Sequence, residues 1–214
     1  MFRRNFLKSS ALGSGIAFFP FEKIIYDYPK NKFNLNYAPH FGMFKHSAGE
    51  DLIDQLNFMA DEGFTAFEDN NLKKRSISDQ NKIASTLTKR NLRMGVFVAH
   101  SIYWKEPNLA SGSIDKREEF LKEIRESVEV AKRVNAKWMT VVPGYKDLRL
   151  KDSYQQTNVI DSLKYACDIL EPYDLTMVLE PLNFRNHPGL FLTESPQAFE
   201  ICKAINSKSC KTVS

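Results

Sequence analysis

Cysteine is scarce in this chain: Cys167, Cys202 and Cys210 are the only three in 214 residues, and no two stand in a C-x-x-C pair. That excludes a zinc knuckle and a full disulfide framework. The three read as free thiols, with Cys202 and Cys210 the pair that export would allow to join. Charge of one sign is also in short supply, because 30 Lys and Arg against 26 Asp and Glu leave a net charge of only +4 spread along the chain. No nucleic-acid-binding face is implied. There are four histidines, too few for a histidine-rich zinc site. After the first apolar run, Pro39-His40-Phe41-Gly42 has no G-x-G-x-x-G spacing, so neither a dinucleotide fingerprint nor another organic-cofactor motif is present. No stable membrane anchor is expected: the apolar stretch near the N-terminus is far shorter than the ~20 residues a spanning helix needs.

What is present is ordinary globular material, 43% hydrophobic and 26% charged, enough for one sizeable core. The opening MFRRNFLKSSALGSGIAFFP has a basic head, Arg3-Arg4, before a weakly apolar middle, and resembles a twin-arginine export signal. Residues 1–33 are accordingly expected to be a signal and linker, and the protein to be exported to the periplasm. The alternative is a disordered basic tail on a cytoplasmic protein.

From residue 34 onward, short aliphatic runs alternate with longer segments of helical periodicity. Expected strands are Leu35 to Phe44, Thr65 to Glu68, Arg93 to His100, Trp138 to Val142, Thr176 to Leu182 and Cys210 to Val213. Expected helices are Glu50 to Glu62, Ser78 to Arg90, Asp115 to Asn135, Ser153 to Leu170 and Ser195 to Ile205, each with apolar residues on one face. Continuous aliphatic strands joined by amphipathic helices imply a parallel sheet with both faces covered. Polar residues collect at the C-terminal strand ends, as His40, Glu68, Asp69, His100, Glu180 and Asn183. That placement favours a (β/α)8 barrel over an open doubly wound sheet. Five βα units plus a sixth strand are visible, so the expectation is an α/β fold with an incomplete barrel, in a truncated product or a fragment of a longer chain.

Met177-Val178-Leu179-Glu180-Pro181 is the informative stretch, because a carboxylate ending a buried strand needs a cation, a donor or a metal beside it. The segment LEPLNFRNHPGLFLT, residues 179–193, resembles the hydroxypyruvate isomerase branch of the xylose isomerase-like TIM barrel superfamily, with support from Asn36, Met43-Phe44, Gly63-Phe64, Phe67-Glu68 and Val142-Pro143-Gly144. The resemblance implies that Glu180 binds a divalent cation, Mg²⁺ or Mn²⁺, and moves a proton between adjacent carbons of a small sugar or hydroxy-carbonyl acid. It also implies that His100 lines the pocket as a substrate hydrogen-bonding group, and that Asn183 supports the loop and orients Glu180. The family's remaining ligands, on its sixth, seventh and eighth strands, would lie beyond Ser214, so the chain alone is expected to be inactive.

Related epimerases carry an acidic residue six positions after the metal glutamate. Asn186 stands there, which leans toward the isomerase branch over a ketose 3-epimerase. A structural Glu180 paired with Lys or Arg, and a sugar-binding or interaction remnant without catalysis, are the alternatives. An AP endonuclease of the same superfamily would need a basic groove that a charge of +4 does not provide. A homo-oligomer is left open. Glu68 and Asp69, adjacent on a strand, should face opposite ways. Phe41, Phe44, Tyr103 and Trp104 fit either a closing pocket or loop packing.

Overall fold

Helix ends in this protein are written by small polar residues. Asp51 accepts hydrogen bonds from the Ile53 and Asp54 amides and starts a helix at Leu52, while Ser76 accepts from the Asp79 amide and Ser113 from the Lys116 amide. Each satisfies a backbone donor that has no partner inside the helix. At the other ends Asn91, Asn135 and Asn206 adopt the left-handed conformation, with φ near 53–55°, the C-cap geometry asparagine tolerates better than most residues.

The computed structural model describes residues 33–213. Its helices are α1 (Lys45–Ala48), α2 (Leu52–Asp61), α3 (Ile77–Arg90), α4 (Ile114–Val134), α5 (Asp152–Leu170) and α6 (Ser195–Ile205). Its strands are β1 (Ala66–Phe67), β2 (Arg93–Met94), β3 (Trp138–Val141), β4 (Thr176–Leu179) and β5 (Cys210–Thr212). The twin-arginine-like segment lies, apart from Phe33, outside the described residues.

All strand pairing between named elements is parallel. β1 pairs with β2 through Phe67 and Met94, β3 with β4 through Val141 and Leu179, and β4 with β5 through Met177 and Cys210. Parallel bridges from His40 to Glu68 and from Val98 to Thr140 extend this order to an initial segment and join β2 to β3. The result is a run of successive parallel strands with helical crossovers, curved as in part of a barrel and not closed.

Two expected strands are much shorter than their apolar content suggests. In Leu35 to Phe44 only His40 bridges to a neighbour. Pro39 offers no amide, Gly42 turns the chain at φ +90°, and α1 follows, a short helix not among the expected ones. In Arg93 to His100 regular pairing ends at Met94 and resumes at the Val98 bridge.

One sheet face packs against the helices. Met139, Val141, Met177, Leu179 and Cys210 join Ile83, Ile124, Leu163 and Ile201 in a continuous core. Strand alternation then turns Trp138, Thr140 and Val178 to the inner face. There the covering is uneven, from Thr140 at 5% exposed to Trp138 at 45%. Among the described residues no helix is long and apolar enough to cross a membrane.

Candidate functional site

The C-terminal strand ends open into a cleft of about 860 Å³ whose walls include Val98, His100, Trp104, Val142, Glu180 and His187. Glu180 follows β4, where its amide still reaches Val141 O at 3.3 Å. Pro181 has no amide to continue the ladder. The chain is caught again when the Leu182 amide reaches Leu192 O at 3.1 Å, and residues 183–191 form a loop closed at that base. The strand therefore delivers Glu180 to the cleft, and the loop holds its far side.

That loop is tied to the one after β3. The Phe191 amide donates to Gly144 O, the Lys146 amide to Gly189 O, and Tyr145 bridges both Pro107 and Leu190. Gly189, at φ +84°, lies against the Tyr145 ring so closely that a Cβ would overlap it. Asn183 accepts the Asn186 amide through Oδ1 at 3.0 Å, a turn made by a side chain. It is exposed and shapes the loop after Glu180 rather than touching the carboxylate.

Among the described residues the Glu180 carboxylate has no ion pair. Its charge is felt by Glu68. Burial raises the Glu68 carboxyl above its ordinary value, His40 opposes the rise, and Glu180 adds to it. Asp69 turns the other way, 3% exposed, to pair with Arg75. Gly95 leaves room for this arrangement, since a Cβ there would meet Phe67 O at 3.1 Å and Glu68 Cβ at 3.4 Å.

His100 lines the cleft and is 5% exposed, but its ring is fully engaged. Nδ1 donates to Ser101 O at 2.9 Å, and Nε2 accepts the Val142 amide at 3.3 Å. Burial lowers its pKa to about 4, so the imidazole is neutral, and its edge meets Phe120 with ring centroids 4.9 Å apart. It presents apolar ring surface to the cleft while pinning the loop after β2 to the end of β3.

Of the loop aromatics, Phe41 packs on Phe67 at 4.5 Å and Phe44 on Phe58 at 5.4 Å. Tyr103 donates its hydroxyl to Glu119 at 2.7 Å. Trp104 alone of the four lines the cleft, stacked 5.5 Å from His187, whose buried Nδ1 finds no partner among the described residues. One cleft group was invisible in the sequence. Lys73 Nζ donates to Ala99 O at 3.2 Å and to Glu123 O at 3.1 Å, with ion pairs to Glu123 and Glu126. Glu123 also accepts the Ser101 amide at 2.6 Å. Residues 50 apart carry no periodic signature of such a network.

A resident cation needs several oxygen or nitrogen donors. Among the described residues no three His, Cys, Asp or Glu side chains converge to hold one. Residues 33–213 alone therefore do not make a complete metal site.

The xylose isomerase-like TIM barrel family model matches residues 56–213. The chain belongs to that family. A solved structure described as AP endonuclease, family 2 from Brucella melitensis is similar with a TM-score of 0.68 at 23% identity, covering 82% of this chain and 66% of that one. D-psicose 3-epimerase with D-tagatose from Clostridium cellulolyticum is similar at 0.66 and 13% identity, covering 83% and 62%. IOLI protein with a binding zinc atom is similar at 0.62 and 18% identity, covering 81% and 61%. The chain thus spans less than two thirds of the length of these structures, and at such identities the likeness is one of fold. No curated protein matches the chain.

Proposed function

We propose that this barrel segment serves a metal-assisted isomerase that moves a proton between adjacent carbons of a small hydroxy-carbonyl sugar or acid, in the manner of hydroxypyruvate isomerases. The observation that carries the reading is Glu180: a carboxylate at a strand end, lining a cleft, unpaired among the described residues and close enough to influence Glu68. A carboxylate held there is suited to take a proton from a carbon beside a carbonyl and return it to the neighbouring carbon. A bound divalent cation, Mg²⁺ or Mn²⁺, would supply polarisation of the substrate oxygens. Its remaining ligands would come from outside the described residues. The cleft's lining joins apolar Val98, Val142 and Leu182 to Glu180, Asn70 and Asn71, polar groups able to hydrogen-bond a small polyol.

A ketose 3-epimerase is the second reading, because it uses the same proton abstraction and similar folds include D-psicose 3-epimerase and 3-keto-D-glucoside 4-epimerase. Asn186 favours the isomerase. Both are tested by incubating a full-barrel version with hydroxypyruvate and, separately, with ketohexoses in D₂O plus Mg²⁺ or Mn²⁺. Proton NMR should show deuterium entering at the carbon next to the carbonyl. Glu180→Ala should abolish that exchange, and a variant that keeps the full rate removes Glu180 from the chemistry.

A further inference from the structure

At the β5 edge of the described sheet three sulfurs are gathered from separate elements: Cys167 on α5, Cys202 on α6 and Cys210 on β5. The left-handed Asn206 ends α6, and the Cys210 amide folds back to Ser207 O. This short return brings Cys202 Sγ to 3.8 Å from Cys210 Sγ, the separation of two reduced thiols in contact. A disulfide requires such a pair to close to ~2 Å. Cys202 is partly accessible, while Cys167 and Cys210 are buried.

We propose that Cys202 and Cys210 form a redox modification site, a dithiol that exchanges with a small-molecule or protein disulfide and closes into a disulfide stapling α6 to β5. The Cys202 thiolate attacks one sulfur of the incoming disulfide and expels the other half as a thiolate, leaving a mixed disulfide. The Cys210 sulfur then attacks the Cys202 sulfur, and its proton leaves on the expelled second half, which departs as a thiol. Two protein thiols are oxidised and one external disulfide is reduced to two thiols. The environment suits that order: the Cys210 hydrogen bond, helped by the Lys211 charge, lowers the Cys202 thiol despite burial, and hydrogen bonding to its two neighbours keeps Cys210 protonated. A low thiol pKa with access is what makes a cysteine the first to react.

The staple would act on the strand beside the candidate site. Cys210 pairs with Met177, and two residues on, Thr212 Oγ1 and the Val213 amide both donate to Leu179 O at 3.2 Å, next to Glu180. Closing the short loop between the two cysteines removes freedom from the unfolded chain and ties β5 to its helix.

The test uses the whole chain, reduced and then incubated with excess oxidised glutathione, alkylated under denaturing conditions, cut with trypsin and read by mass spectrometry. The expected product joins the peptides ending at Lys203 and Lys211, lighter by two hydrogens than their sum, with Cys167 alkylated. The thermal midpoint should rise on oxidation and fall back with dithiothreitol, a response absent in Cys202→Ser. Alkylation of both Cys202 and Cys210, a bridge through Cys167, or glutathione left on Cys202 without closure would each overturn the assignment. A cross-linked chain with an unmoved midpoint would overturn the staple.

Discussion

His100 shows how a residue read from a motif acquires its chemistry from what surrounds it. With Nδ1 donating to Ser101 O and Nε2 accepting the Val142 amide, protonation would set two donors face to face at Nε2. Burial already lowers its pKa to about 4 from an ordinary value near 6.5. Below about pH 6.5 the unfolded chain therefore takes up a proton that the folded chain refuses. The stability this contributes is present above that value and is lost as pH falls toward 4, by about 3 kcal/mol in all. Urea midpoints measured from pH 7.5 to 4 should trace the loss, and His100→Gln should flatten it over that window while lowering stability at neutral pH. Glu68 offers a second check. Since Glu180 helps raise its pKa, Glu180→Gln should bring the Glu68 carboxyl down toward its ordinary value in a ¹³C NMR titration. An unmoved titration would mean that the Glu180 charge does not reach Glu68. Of the site residues, Glu180 was legible because a carboxylate and proline ending an aliphatic run is a local oddity. The full engagement of the His100 ring was not legible, because its partners lie in separate loops.

Helices were the most legible elements, because their ends depend on neighbours in sequence. The expected Ser195 to Ile205 matches α6, and Asp115 to Asn135 is α4 moved by one residue. The caps supply the reason and a prediction. Asp51→Ala, which leaves the Ile53 and Asp54 amides unsatisfied, should cost about 1 kcal/mol by denaturant midpoint. Strands were less legible, since pairing depends on partners far along the chain. The run from Leu35 to Phe44 is apolar enough for a strand, yet Pro39 and Gly42 limit it to a bridge at His40. Loops after β3 and β4 behave as one unit through Tyr145. Gly189→Ala, at φ +84° and against that ring, should destabilise the fold by at least about 2 kcal/mol, with amide exchange in residues 183–191 rising first. Exchange confined elsewhere would contradict the coupling.

At the scale of the whole described fold, the strands of residues 33–213 do not close on themselves, and their inner sheet face is partly open. Trp138 is 45% exposed on that face and Trp104 46% exposed at the cleft, and these are the two tryptophans of the chain. Acrylamide should quench the emission almost completely, with Trp104→Phe and Trp138→Phe each removing a share. A blue-shifted, protected Trp138 would mean that this face is covered in solution. The sequence by itself determined the parallel βα order, the five longer helices to within two residues at each end and the carboxylate at the end of β4, all set by hydrophobic period and by hydrogen bonds within a few residues. Only the tertiary structure decided that Glu68 feels the charge of Glu180 while Asp69 turns away to pair with Arg75, that the His100 ring is spent on backbone, and that Cys202 meets Cys210. Those outcomes depend on where crossovers place residues distant in the chain, a matter of packing that local pattern does not encode.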